Sequence, residues 1–336
     1  EDGIRDRDVT GVQTCALPIC LNMTFNGTGG TSTNFYRGIT IKGAGRGNQT
    51  EIQGRTSGYP IFDMTGARLC NIMDIQVTCD VNDATTPSCA FLLSRNLLNG
   101  GAGEHLFTGV GTFGYFTKAA LAAISSEVNT FRSCSFVNQY DNGHVLYTSS
   151  MNTIGVISAY ISGLDTHSYS GGNTRHYYDG SFFSHYGTGA GTGRSIYLAY
   201  NAASPTTGLV FAACYSTMGN ALNDSSIVFD GSCRDIIFSG HRDEAITTHC
   251  FKILSGSTVT GLILDSGEFS RNFYAEDTSV ITKSRLHPEQ LTTSADPITG
   301  KYYSFDLASL TYSTVTSPGS NGIRLRTSAL GSRIIA

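Results

Sequence analysis

Five carboxylates fall close together late in the chain: Asp230 in IVFDGS, Asp243 and Glu244 in SGHRDE, and Asp265 and Glu268 in LDSGEF. Cleaving the acetal bond between two sugars takes two carboxyl groups, one as acid and one as base or nucleophile. His241 and Arg242 share the SGHRDE run with two of these carboxylates. Superposing SGHRDE on DSGEFS sets Arg242 beside Glu268. An arginine there can hold a sugar carboxylate or tune a neighbouring acid. These seven residues, Asp230, His241, Arg242, Asp243, Glu244, Asp265 and Glu268, form the candidate catalytic set. The same pattern also fits a solvated ladder of surface ion pairs, which contributes little to stability.

A second concentration lies in GLDTHSYSGGNTRHYYDGSFFSHYGTGAGTG, residues 163–193. It supplies Asp165, His176, Tyr177, Tyr178, Asp179 and Tyr186 as a candidate substrate-binding set. Tyrosine rings offer flat faces on which sugars stack, and the chain has 17 Tyr and no Trp. Glycine-rich loops carried on a rigid scaffold often bear function. A loop without function, or a contact between subunits, fits the same residues. The histidine spacings match no compact ligand motif, so neither a metal nor a cofactor is expected. GAGRGN, residues 43–48, has the spacing of a dinucleotide loop. That loop acts between a strand and a helix, whereas the run TEIQG that follows reads as another strand.

What would position these groups is a repeat. Eight segments can be laid over one another: NIMDIQVTC from Asn71, HLFTGVGTFG from His105, NTFRSCSFVN from Asn129, IGVISAYISG from Ile154, YYDGSFFSHYG from Tyr177, GLVFAACYST from Gly208, DIIFSGHRDE from Asp235 and GLILDSGEFS from Gly261. They recur at intervals of roughly 25 residues, within the range of solenoid coils. A second family is interleaved with them: CAFLLSRN from Cys89, AALAAISSEVN from Ala119, HVLYTSSMN from His144, SIYLAYNA from Ser195, SIVFDGSCR from Ser226 and CFKILSGS from Cys250. One such coil cannot bury its own apolar face, but a parallel stack of coils buries a continuous core. Alternation sends Val, Ile, Phe and Cys inward and Ser, Thr, Asp and Arg outward. Asn71, Asn129 and Asn152 fall at turns, where their amides can hydrogen-bond along the stack. Coils stacked about 4.8 Å apart put carboxylates one coil apart near the retaining separation, and two coils apart near the inverting one. A sandwich would show hairpin turns, which are scarce here.

Composition agrees. Charged residues are only 14%, Gly numbers 39, and the formal net charge is −4. Such a balance lacks the basic face of a nucleic-acid binder. No apolar run approaches the roughly 20 residues of a membrane-spanning helix. The nine cysteines form no CxxC pair and most sit in apolar runs such as FRSCSF and FAACYS. They read as small buried residues rather than as metal ligands.

The opening EDGIRDRDVTGVQTCALPI differs from everything after it. Back-translated, Val9–Ile19 spells a common short-read sequencing adapter and Glu1–Asp6 its upstream part, in one frame. Residues 1–19 are therefore read as an adapter-derived artefact, and such segments are set aside before fold reasoning. Residues 20–285 then form the solenoid. Residues 286–336, with three prolines and no clear coil, form a small β-region that caps the stack or helps it oligomerise, since a last coil exposes core and unpaired edges.

The segment YRGITIKGAGRGNQTEIQG, residues 36–54, resembles the first coil of the pectate-lyase-like right-handed parallel β-helices, a superfamily that includes many phage tailspike and tail-fibre proteins. The resemblance extends over about residues 21–285. It implies an all-β, right-handed parallel β-helix, sugar binding along the outer face and, for tailspikes, a homotrimer on the virion tail. The function it implies is binding of a cell-surface polysaccharide, with or without cleavage by a hydrolase or lyase activity. A non-catalytic trimeric fibre or adhesin is the alternative, and a secreted pectin-type enzyme the third. NTD, DD and RxPxxR runs typical of pectin-degrading relatives are absent, so no catalytic residue is carried over from them. Neither nucleic acid nor insertion into a membrane is expected.

Overall fold

The computed structural model describes residues 23–24, 38–46, 49–55, 58–94, 103–149, 175–200, 206–219, 222–244, 247, 249–265, 267–269, 272–276, 280–282, 301–306, 311–316 and 324–326. The described chain is all-β, without an α-helix. Its strands stack in parallel as the faces of a solenoid.

Each coil contributes one short strand to each of three sheets. Sheet I holds eight strands, from Thr40–Lys42 through Tyr177–Asp179 and Val210–Ala212 to Ile237–Ser239 and Ile263–Asp265. Sheet II also holds eight, from Glu51–Gln53 through Phe182–His185 and Tyr215–Met218 to Arg242–Asp243 and Glu268–Phe269. Sheet III runs through Phe62–Asp63, Cys89–Ser94, Ala119–Ile124, His144–Ser149 and Ile196–Tyr200, then the first half of Ser225–Arg234 and His249–Ile253. Among the described residues, the first repeat family supplies strands of sheets I and II, and the second family supplies strands of sheet III.

Two corners recur along the stack. The residue leading into sheet I is Gly38, Leu69, Glu104, Val128, Arg175, Gly208, Asp235 or Gly261, and each holds a left-handed backbone. The single bend between sheets I and II does the same at Asp74, Gly109, Ser133, Gly180, Ala213 and Gly240. Across both sets φ lies between 48° and 78°. A left-handed residue reverses the chain in one step, so a strand of sheet I passes into sheet II within two residues. L-residues resist this conformation by roughly 1–2 kcal/mol, and glycine relieves it at only some of these positions.

Inside, identical positions of successive coils fall on one another. Phe107, Phe131, Tyr178, Phe211 and Phe238 stack ring on ring, with centroids 4.9, 4.8, 4.7 and 4.5 Å apart. A polar column runs beside them. The backbone N–H of His105 donates to Asn129 Oδ1 at 3.1 Å, and Asn129 Nδ2 lies 3.2 Å from His176 Nδ1. Asn129 thus bonds along the stack as its turn position suggests, whereas Asn71 is a strand residue and Asn152 lies outside the described residues. All seven described cysteines are buried free thiols, and Cys89, Cys134 and Cys214 are pushed up to about 12 chiefly by burial.

Thr130–Arg132 pairs directly with Tyr177–Asp179, and Ser135–Asn138 with Phe182–His185. The segment from Ile154 lies outside the described residues. The GAGRGN run joins two strands, Thr40–Lys42 and Glu51–Gln53. Past the last coil the pairing turns antiparallel: Thr282 faces Thr311, and Lys301–Asp306 pairs with Thr311–Thr316. No helix among the described residues is long and apolar enough to cross a membrane.

Candidate functional site

In a strand, alternate side chains leave the same face. On sheet II the first outward column therefore reads Glu51, Gln76, Gly111, Ser135, Phe182, Tyr215, Arg242 and Glu268, each in register with the next. Its last four members form a continuous row. The rings of Phe182 and Tyr215 stack at 5.1 Å, 11° from parallel. The Arg242 guanidinium stands 6.0 Å from the centre of the Tyr215 ring, and its Nε is 3.3 Å from Glu268 Oε2.

Glu244 lies two residues further along the Arg242 strand and so faces the same way. Its carboxylate pairs with Arg242 Nη2 and accepts a hydrogen bond from the Tyr215 hydroxyl. Tyr186 completes the group one step past the neighbouring strand. Its N–H donates to Asn138 O at 2.9 Å, and its ring lies against Gly219, where a Cβ would stand 2.9 Å from Cδ1. Tyr186 and Arg242 are exposed, whereas Phe182 and Tyr215 are half-buried. The Tyr215 hydroxyl is pushed up to about 12, first by desolvation and then by its bond to Glu244 and that carboxylate's charge. It is therefore a hydrogen-bond donor across the ordinary pH range and not a ready base.

The glycine-rich run after Tyr186 is held in place rather than left loose. Gly189 N–H donates to Asp141 Oδ1 at 2.9 Å, Gly193 N–H to Asp141 O at 2.9 Å, and Thr192 N–H to Asn142 Oδ1 at 3.1 Å. A Cβ on residue 191 would stand 2.1 Å from Asp141 O. Glycine is needed there for close backbone approach.

Of the candidate catalytic set, sheet II brings together Arg242, Glu244 and Glu268. Arg242 and Glu268 are direct register partners, as superposing SGHRDE on DSGEFS expects. Asp243 does not face outward: it is fully buried. Its Oδ2 accepts hydrogen bonds from Ser216 Oγ at 2.5 Å and Ser226 Oγ at 2.8 Å. Strand parity is the reason, since Arg242 outward forces Asp243 inward. His241 is buried beside it with Nε2 2.8 Å from Ser216 Oγ, and burial holds its pKa down to about 3. This serine, histidine and aspartate meet, but the aspartate bonds the serine rather than orienting the imidazole, and solvent does not reach them. Asp265 lies round the corner on sheet I, in register with Ser239. Asp230 lies on sheet III, where it accepts the Tyr197 hydroxyl at 2.7 Å.

The candidate binding set divides in the same way. Tyr177 and Asp179 leave sheet I outward, whereas Tyr178 between them is fully buried in the aromatic stack. His176 is also buried, with Nε2 3.1 Å from Ser126 O and its pKa lowered to about 4 by burial. Neither Tyr178 nor His176 can meet a ligand from outside. Asp165 lies outside the described residues. Phe182 and Tyr215 belong to the row although neither stood out by residue type. Laying AACYST, which starts at Ala212, over SGHRDE aligns Tyr215 with Arg242 and would have found it. Among the described residues no group of three or more His, Cys, Asp or Glu side chains converges as a metal site.

No protein-family model, curated protein or solved structure matches this chain.

Proposed function

We propose that this protein binds a cell-surface polysaccharide along the outer face of sheet II, in the manner of a tailspike or tail fibre. On this reading the solenoid is a right-handed β-helix of the pectate-lyase-like kind, assembles as a homotrimer, and acts outside the cell as part of a virion tail. If the protein is not viral, it is secreted. The observation that carries the reading is the row Phe182, Tyr215, Arg242 and Glu268, with Tyr186 and Glu244 beside it. Stacked aromatic faces flanked by hydrogen-bonding charges are what a hydroxyl-rich chain with apolar ring faces needs, and a rigid sheet presents them at low entropic cost.

Binding without cleavage is favoured over depolymerisation. Glu244 and Glu268 are both engaged by Arg242, and the remaining carboxylate of that strand, Asp243, is buried. The test is to incubate the full chain with an array of bacterial surface polysaccharides, measuring retention together with new reducing or unsaturated ends. Retention without new ends is the expected result. New ends lost on Glu268→Gln would make it a depolymerase, and no retention anywhere would remove the proposal. Light scattering should give three times the chain mass.

A further inference from the structure

We infer that the polysaccharide bound on sheet II is uncharged, rather than a uronate- or sialate-rich polyanion. This rests on the proposed function and names the ligand class of that same site. Arg242 is the only lysine or arginine in the eight strands of the sheet, which read EIQ, QVTC, GTFG, SFVN, FFSH, YSTM, RD and EF. A lone arginine beside aromatic rings would be the natural anchor for a sugar carboxylate. Here that anchor is already shared with two carboxylates. Arg242 Nη2 is paired with Glu244, and its Nε lies 3.3 Å from Glu268.

The charge on this patch therefore runs against an acidic ligand. Two carboxylates surround one guanidinium. A ligand carboxylate reaching the guanidinium would lie beside Glu244 and Glu268, and like charges side by side oppose binding. Arg194, on the loop that follows Tyr186, is also committed. It pairs with Asp224 at 2.8 Å and donates to Gly193 O at 2.7 Å. For a neutral chain the same groups are well arranged. Carboxylates accept hydrogen bonds from sugar hydroxyls, and the faces of Phe182, Tyr215 and Tyr186 take the C–H faces of the rings. Specificity against acidic chains then comes from the two glutamates, and affinity for neutral ones from the rings.

The experiment divides the polysaccharide array into neutral and acidic halves and compares wild type with the double variant Glu244→Gln, Glu268→Gln. Both changes are on the surface and nearly isosteric, and they leave Arg242 unpaired. For wild type, every binder should fall in the neutral half, with affinity changing less than about twofold between low and high salt, because no ion pair to ligand is involved. The double variant should gain acidic binders by about tenfold or more, in a salt-sensitive way. Wild-type binding to an acidic chain that is lost on Arg242→Ala would overturn the inference while leaving sugar binding intact. An absence of binding in both halves would remove the proposed function itself, and the inference with it.

Discussion

Val128 is a β-branched residue in a left-handed backbone, with φ of 53°. A Cβ with two branches is the least suited to that conformation. The side chain is exposed, so its replacement forfeits little burial. Val128→Gly should therefore raise stability by about 1 kcal/mol, read as a higher urea midpoint at unchanged slope. A lower midpoint would mean that the valine contributes more through packing than it loses through its backbone. The same corner explains what was hard to read in the sequence. Leucine, glutamate, valine, arginine and aspartate all occupy it, so no glycine or asparagine signature marks the coil boundary. Asp243 is a second case. Its type suggested solvent, but position in an alternating strand decides direction, and its outward neighbours Arg242 and Glu244 leave it only the interior.

At the scale of the strand stack, the aromatic column of sheet I was legible as a pattern of inward apolar residues. Tyr178 interrupts it chemically. Its ring stacks between Phe131 and Phe211 at 4.8 and 4.7 Å, while its buried hydroxyl has no hydrogen-bond partner. An unsatisfied buried hydroxyl costs about 1–3 kcal/mol, and phenylalanine keeps the stack. Tyr178→Phe should thus leave stability unchanged or raise it by up to about 1 kcal/mol. A clear loss in a thermal melt would show that the hydroxyl is satisfied, for example by a bound water. The first repeat family was visible because its short strands alternate, and the second because its strands are continuous apolar runs, buried along most of their length. The segment from Ile154 shares the alternation and lies outside the described residues. A short apolar alternation does not by itself reveal whether a strand joins the stack, because register is set by neighbouring coils rather than by the segment alone.

For the whole molecule, the described buried histidines resist protonation. His105, His144 and His241 are held near 3 and His176 near 4, in each case mainly by burial, against 6.5 for a free imidazole. Above about pH 6.5 the folded and unfolded chains both carry these rings neutral, and the coupling is silent. As pH falls below that value the unfolded chain takes up protons that the folded chain refuses. Stability is therefore full above pH 6.5 and declines as pH drops toward the folded values. Urea midpoints at pH 7.5 and 5, above the usual carboxylate range, should show a lower value at pH 5. An equal or higher midpoint there would mean that the histidines are hydrated.

The aromatic and charged row of sheet II depends on coil register, which sets Tyr215 beside Arg242 and Arg242 beside Glu268. A comparison between faces tests its role most directly. Tyr215→Ala removes the centre of the row on sheet II, and Tyr177→Ala removes an exposed ring on sheet I. With a polysaccharide retained by the wild type, titration of both variants, checked for unchanged circular dichroism, should give at least about a tenfold loss for Tyr215→Ala, since one stacked ring contributes about 1–3 kcal/mol to binding. Tyr177→Ala should bind as wild type does. Loss on Tyr177→Ala with full binding by Tyr215→Ala would move the site to sheet I and contradict the account.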